Sequence, residues 1–194
     1  VYVWAEVLAG DSIPVYAERL GTPLDIAKLL TSLTLTAMLI GYVLGIFLMP
    51  KYLSQSKALM LSALVGMITA GGVLTVDPAL TATAFVFNDH LEFKVVELPV
   101  TVILVAVLGL ANALMWPAIW PLAVDGIGRA LKTGSALLVM AILGGALSMP
   151  VWTAMSPDRS VTSSQNAYWL LLPFYLFIGW YAMTGHKLRK KALA

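Results

Sequence analysis

Glu6, Asp11, Asn112, Trp116 and Trp120 are the residues of this 194-residue chain whose types and spacing could do chemistry. Glu6 and Asp11 stand in "WAEVLAGDSIP", an otherwise apolar run interrupted by a glycine and a proline. Five positions apart on a helix, they lie about 140° around the axis and form no carboxylate pair on one face. Asp11 precedes "SIP", a setting in which a carboxylate can cap a helix that restarts after a break. Glu6 has no such arrangement. It needs a water-filled cavity, a donor partner or a proton. Its expected roles, in order, are binding of ligand hydroxyls, proton carriage and a structural hydrogen bond.

Asn112, Trp116 and Trp120 recur every four residues in "NALMWPAIW" and fall on one helical stripe. An amide both donates and accepts, as a neutral polyol requires. An indole face packs on the apolar C–H face of a sugar ring. Pro117 and Pro121 free backbone groups in the turns before them and favour a bend. The competing reading is structural, with Asn112 bonding across helices and the tryptophans packing on neighbours. Polarity, aromaticity and a bend coincide on the stripe, which favours a binding site.

The elements that must position these residues are membrane spans. Only 11% of the chain is charged and 60% is hydrophobic, whereas soluble domains carry about 25% charged residues. No Asp, Glu, Lys or Arg lies between Lys57 and Asp77, between Glu97 and Asp125, or between Lys132 and Asp158. Such stretches read as transmembrane helices, which hide their backbone from lipid. The expected fold is an all-α integral membrane protein with six spans at about 1–20, 26–49, 58–76, 97–124, 132–155 and 166–185. Val1 falls inside an apolar segment, so the expectation is a piece of a longer protein.

Charge sets the orientation. Lys51 and Lys57, Arg129 and Lys132, and Lys187, Arg189, Lys190 and Lys191 fall on one side of a six-span chain, eight of its twelve basic residues. The positive-inside rule places that side, with the basic tail 186–194, in the cytoplasm of a plasma (inner) membrane protein. The tail reads as a lipid-headgroup anchor, not a nucleic-acid patch. Tyr168 and Trp169 open the sixth span and are expected to anchor it at the outer interface. Residues 77–96 form the expected extracytoplasmic loop, as a short helix or a hairpin over the mouth. His90 there has no second ligand at metal spacing.

Six spans divide into two triplets. If these are inverted repeats, the first span corresponds to the fourth, and these are the two spans that carry the polar and proline interruptions. Interrupted spans at corresponding positions of two repeats point to a transporter's binding site. The pairs Gly41 and Gly45, and the set Ala141, Gly144, Gly145 and Ser148, read as close-packing faces. No phosphate-binding loop, zinc-spaced histidine pair or nucleophile elbow occurs. With no cysteine there is no thiolate site either. An enzyme is not expected, nor a metal or cofactor.

The stretches "YVWAEVLAGDSIPVYAERLGTPL", "GYVLGIFLMPKYLSQSKAL", "LGLANALMWPAIWPLAVDGIG", "TGSALLVMAILGGALSMP" and "AYWLLLPFYLFIGWYA", in this order and spacing, carry a resemblance. Together they resemble the second half of a major facilitator superfamily sugar transporter of the fucose–galactose–glucose:proton symporter family, on its glucose/galactose branch. The resemblance implies that these helices are the seventh to twelfth of twelve. It implies a monosaccharide held at the interface with the N-terminal half, and alternating access coupled to a proton or sodium. Glu6 matches the glutamate of the family's G-x-E-V segment, with Trp4 in place of its glycine. Asn112 matches the polar position before the P-x-I-F segment, where Trp116 and Trp120 replace smaller aromatics. Pro50 stands where the superfamily's Gly-Asp-Arg loop motif has its acid. The family's proton-carrying carboxylates lie in the first half, so Glu6 and Asp11 do not inherit that role. The alternative reading is a stand-alone six-span protein that self-assembles as a channel or as a non-transporting sensor or scaffold.

Overall fold

A computed structural model describes residues 1–49, 51–87 and 93–188. It is a helical bundle with one β-hairpin. Helices α1 (Tyr2–Arg19), α2 (Leu24–Ala27), α3 (Leu30–Leu48) and α4 (Gln55–Thr75) lead to strands β1 (Thr81–Phe87) and β2 (Phe93–Pro99). Then come α5 (Val100–Ala113), α6 (Met115–Val124), α7 (Leu131–Met140), α8 (Ser148–Met155), α9 (Val161–Asn166) and α10 (Leu171–Trp180). A 3-10 segment, Ala141–Leu147, joins α7 to α8, and a π-helical turn, Tyr181–Gly185, follows α10.

Among the described residues, five helical stretches are long and apolar enough to cross a membrane: Leu24–Leu48, Gln55–Thr75, Val100–Val124, Gly128–Met155 and Val161–Leu188. The chain is an integral membrane protein. The remaining long helix, α1, is the one that carries Glu6, Asp11, Glu18 and Arg19, and it packs among α3, α5, α8 and α10. Its core face is Trp4, Ala5, Leu8, Ala9, Ile13, Tyr16 and Ala17.

The bundle is helical apart from one element. Of the two forms expected between the third and fourth spans, a short helix or a hairpin, the structure has the hairpin, antiparallel, in which Ala84 pairs with Val96 and Phe85 with Val95. Alternation explains it. Ala84, Val86, Val96 and Leu98 are buried, whereas Phe85 and Val95 are exposed. Thr83 donates to Glu97 across the strands at 2.7 Å, and Lys94 reaches Asp25 of α2 at 3.7 Å. The hairpin delays the following helix from Glu97 to Val100, with Pro99 at its N-cap. His90 lies outside the described residues.

One helix break differs from expectation. Asp11 was expected to cap a restart, but α1 runs unbroken through Pro14. Pro14 has no N–H for the Gly10 carbonyl. The Thr31 hydroxyl of α3 takes its place, donating to that carbonyl at 3.0 Å. The bend expected in the turn before Pro117 is present, as a break at Leu114 between α5 and α6. There Pro117 cannot donate to the carbonyl of Ala113.

Close approach rests on glycines. A Cβ on Gly41 would sit 2.5 Å from that of Ala113, and one on Gly66 would sit 2.5 Å from the Tyr175 ring. On Gly109 it would run into the Thr34 carbonyl oxygen of α3. In the set 141–148, only Gly145 and Ser148 are buried, and Gly144 meets nothing. The 3-10 winding there selects a three-residue period over the expected four. The expected anchor Tyr168 is instead buried, bonded to Ser12 at 2.7 Å, while Trp169 stays 60% exposed.

These contacts give a paired prediction. Gly109→Ala forces α5 off the α3 backbone and destabilises the bundle by about 1–3 kcal/mol. Gly71→Ala, whose Cβ meets nothing within 4 Å, leaves stability unchanged or slightly raised. Thermal unfolding midpoints in one detergent check both.

Candidate functional site

The site is built on the open half of α1. Glu6 is half-buried, and Asp11, one and a half turns on, is exposed. A cavity of about 220 Å³ is lined by Tyr2, Val3, Glu6, Tyr42, Trp116 and Ile142. A second cavity, of about 280 Å³, adjoins it and shares Tyr2, Val3 and Trp116. Four elements therefore converge: α1, α3 through Tyr42, α6 through Trp116, and the 3-10 segment through Ile142.

The aromatic wall is ordered by ring contacts. Tyr2 stacks on Trp116 with centroids 6.1 Å apart and planes 25° apart. Trp116 meets Trp120 at 5.5 Å. Trp120 thus backs Trp116 rather than lining the cavity. Trp4, whose position the sequence singled out, turns inward against Phe174 at 4.7 Å, edge to face.

Asn112 lies behind this wall. It is fully buried and its Oδ1 accepts from the Tyr175 hydroxyl of α10 at 3.0 Å. The break at Leu114 divides the expected stripe, so Asn112 faces α10 while Trp116 faces α1. Its Nδ2 has no partner. Tyr175 in turn is an electrostatic neighbour of Glu6, as are Tyr2 and Tyr42. Tyr2 and Tyr42 thus line the cavity beside the carboxylate that sequence reasoning placed alone, and Tyr175 lies within its electrostatic reach. Of the expected set, the structure brings Glu6 and Trp116 together, sets Trp120 and Asn112 behind them, and leaves Asp11 further along the open face.

Sequence reasoning missed the tyrosines. Tyr2 had a local signal, since it stands one turn before Glu6. Tyr42 and Tyr175 reach the site only through tertiary packing. Chemically, a carboxylate, phenol hydroxyls and an indole face make a site for an uncharged hydroxylated ligand. Among the described residues no group of three or more His, Cys, Asp or Glu could hold a metal.

Fold and site together define a multi-pass integral membrane protein with a polar cavity between its helices. The chain is similar to a putative glucose/galactose transporter of Helicobacter pylori, 35% identical over 81 residues, which are 41% of this chain and 20% of that protein. It is also similar to a glucose/galactose transporter of Brucella abortus, 31% identical over 83 residues, 43% of this chain and 19% of that protein. The match spans about a fifth of each relative's length. No family model and no solved structure matches the chain.

The Asn112–Tyr175 bond yields a double-mutant prediction. Tyr175→Phe leaves a buried amide wholly unpaired and costs about 1–3 kcal/mol. Asn112→Leu combined with Tyr175→Phe removes the stranded group and recovers most of that loss. The unfolding midpoints of the unaltered chain and of the two variants form the check.

Proposed function

We propose that this chain is the carboxyl-terminal half of a major facilitator sugar transporter, and that it binds a glucose- or galactose-like monosaccharide. In this reading α1 is a sixth span and the six form two inverted triplets. The basic loops and tail face the cytoplasm from a plasma membrane, and no catalytic chemistry is involved. Alternating access moves the sugar together with a proton or sodium. The N-terminal half closes the cavity.

One observation carries the proposal: half-buried Glu6, beside Tyr2, Tyr42 and Trp116, opens into a cavity on a helix packed at the centre of a membrane bundle. Lipid does not tolerate an ionised carboxylate, so this face meets water, ligand or protein. Glu6 accepts from sugar hydroxyls, and Trp116 covers an apolar ring face. The names of the Helicobacter and Brucella relatives support the choice of ligand. Asp11, Asn112 and Trp120 serve the same site, Asp11 from the open face and the other two by shaping its wall.

Glu6→Gln in the protein as its cell makes it weakens sugar affinity roughly ten- to hundredfold, the effect of losing one charge-assisted hydrogen bond of about 1.5–3 kcal/mol. Proton movement per sugar persists. Sugar-induced pH change in proteoliposomes measures both, and unchanged affinity with lost proton flux would reverse the assignment. The intact mass of the native protein separates the two architectures. About twice the mass of this chain supports a covalent second half. A mass equal to this chain gives the second wall to another copy, as in a self-assembled channel or scaffold.

A further inference from the structure

A different cavity, of about 480 Å³, opens at the far end of α1, beside the Ser156–Ser160 turn. It is lined by Val15, Glu18, Arg19, Met149, Thr153 and Arg159. Its chemistry is unlike that of the Glu6 cavity: two guanidiniums and one carboxylate over an apolar floor.

Arg19 is held in place by neutral groups. Its Nη1 donates to Ser156 at 2.8 Å and to Ser164 at 2.6 Å. Its guanidinium lies 4.7 Å from the centroid of the Trp152 ring. Those contacts fix the cation without cancelling its charge. Arg159, Asp158 and Glu18 are all electrostatic neighbours of Arg19, and the Arg159 backbone sits at φ 54°. The turn that presents it is tied by Asp158, whose Oδ1 accepts from the Ser160 amide at 3.3 Å and from the Ser163 hydroxyl. These bonds hold the Asp158 carboxyl below its ordinary pKa, and they direct it into its own turn. Among the described residues the one ion pair is Lys94 with Asp25, so neither arginine has one.

The two guanidiniums that line this cavity carry more N–H donors than its one carboxylate, Glu18, can accept. A guanidinium fork matches a carboxylate in shape and in donors. We propose that Arg19 and Arg159 form a carboxylate-binding site at this mouth. Glu18 on the same wall limits it to a single negative charge. The carboxylate comes either from a small anionic solute or from a side chain of the protein outside this chain. The site stands independently of the sugar reading.

The test uses the native protein in membrane vesicles and the membrane-permeant arginine reagent phenylglyoxal. Modification of Arg159 is followed by mass spectrometry, with exposed Arg129 as the internal reference. Acetate is titrated against chloride at fixed ionic strength. A solute site is expected to show Arg159 slowed several-fold by acetate while Arg129 is unaffected. An internal carboxylate is expected to keep Arg159 several-fold slower than Arg129 before acetate is added, and Arg19→Gln then raises it to the Arg129 rate. If Arg19→Gln does not accumulate, Arg19→Lys, which keeps the charge without the fork, gives a partial rise. Arg159 as fast as Arg129 and indifferent to acetate overturns the site, as does a slow rate that neither variant changes. Sugar uptake in the same vesicles keeps the two readings apart: an indifferent Arg159 with uptake intact removes this site alone.

Discussion

The arrangement depends on one constraint: Glu6 is a carboxylate on a helix whose neighbours are apolar spans. An ion there must be solvated by water, by dipoles or by a bound group. Everything around it follows. Tyr2 comes from its own helix and Tyr42 from α3 to line the same cavity, and Tyr175 of α10 is an electrostatic neighbour of the acid. Trp116 reaches the same place because α6 starts afresh at Met115. The core face of α1 can then be free of charge, with Leu8, Ile13 and Ala17 at no exposure. The open face keeps all the charge.

Polar groups deeper in the bundle follow the same rule with smaller groups. Ser12 donates to the Leu8 carbonyl at 2.5 Å and shares a 2.7 Å bond with Tyr168. Gln165 donates to the Val73 and Val76 carbonyls and so finishes the end of α4, where the helix's own donors have run out. Ser54 caps the opposite end of that helix by accepting from Lys57 at 3.4 Å. Asn112 departs from the rule, because half of its amide is left without a partner, and so do the Thr34 hydroxyl and the Trp152 indole N–H.

Much of this was legible in the residue string, and the rest was hidden for identifiable reasons. Long gaps between charges mark the apolar stretches because composition alone decides what lipid accepts. The polar interruptions at Glu6 and near Asn112 were visible for the same reason. The hairpin was less plain. "TATAFVF" and "FKVVELP" alternate at period two, but their surroundings of mixed polarity masked the pattern. The bend before Pro117 is where the sequence puts it, but the break expected near Asp11 is absent, because the sequence shows where prolines are, not which freed carbonyl finds a substitute donor. Gly10 found one in Thr31, whereas α5 ended at Leu114. Tyr168 was misplaced because an amphipathic side chain at a span's end suits an interface and a core equally well. Which tyrosines meet Glu6 is a long-range fact that no local spacing records.

The bond from Thr31 to the Gly10 carbonyl has a mechanical consequence. It fastens α3 to α1 near the middle of α1, at the one turn where the proline has removed the internal strut. A tilt of α1 about that turn must carry α3 along or strip a carbonyl bare in an apolar interior. The two helices therefore move as one lever, and Tyr42 travels with Glu6 instead of sliding past it.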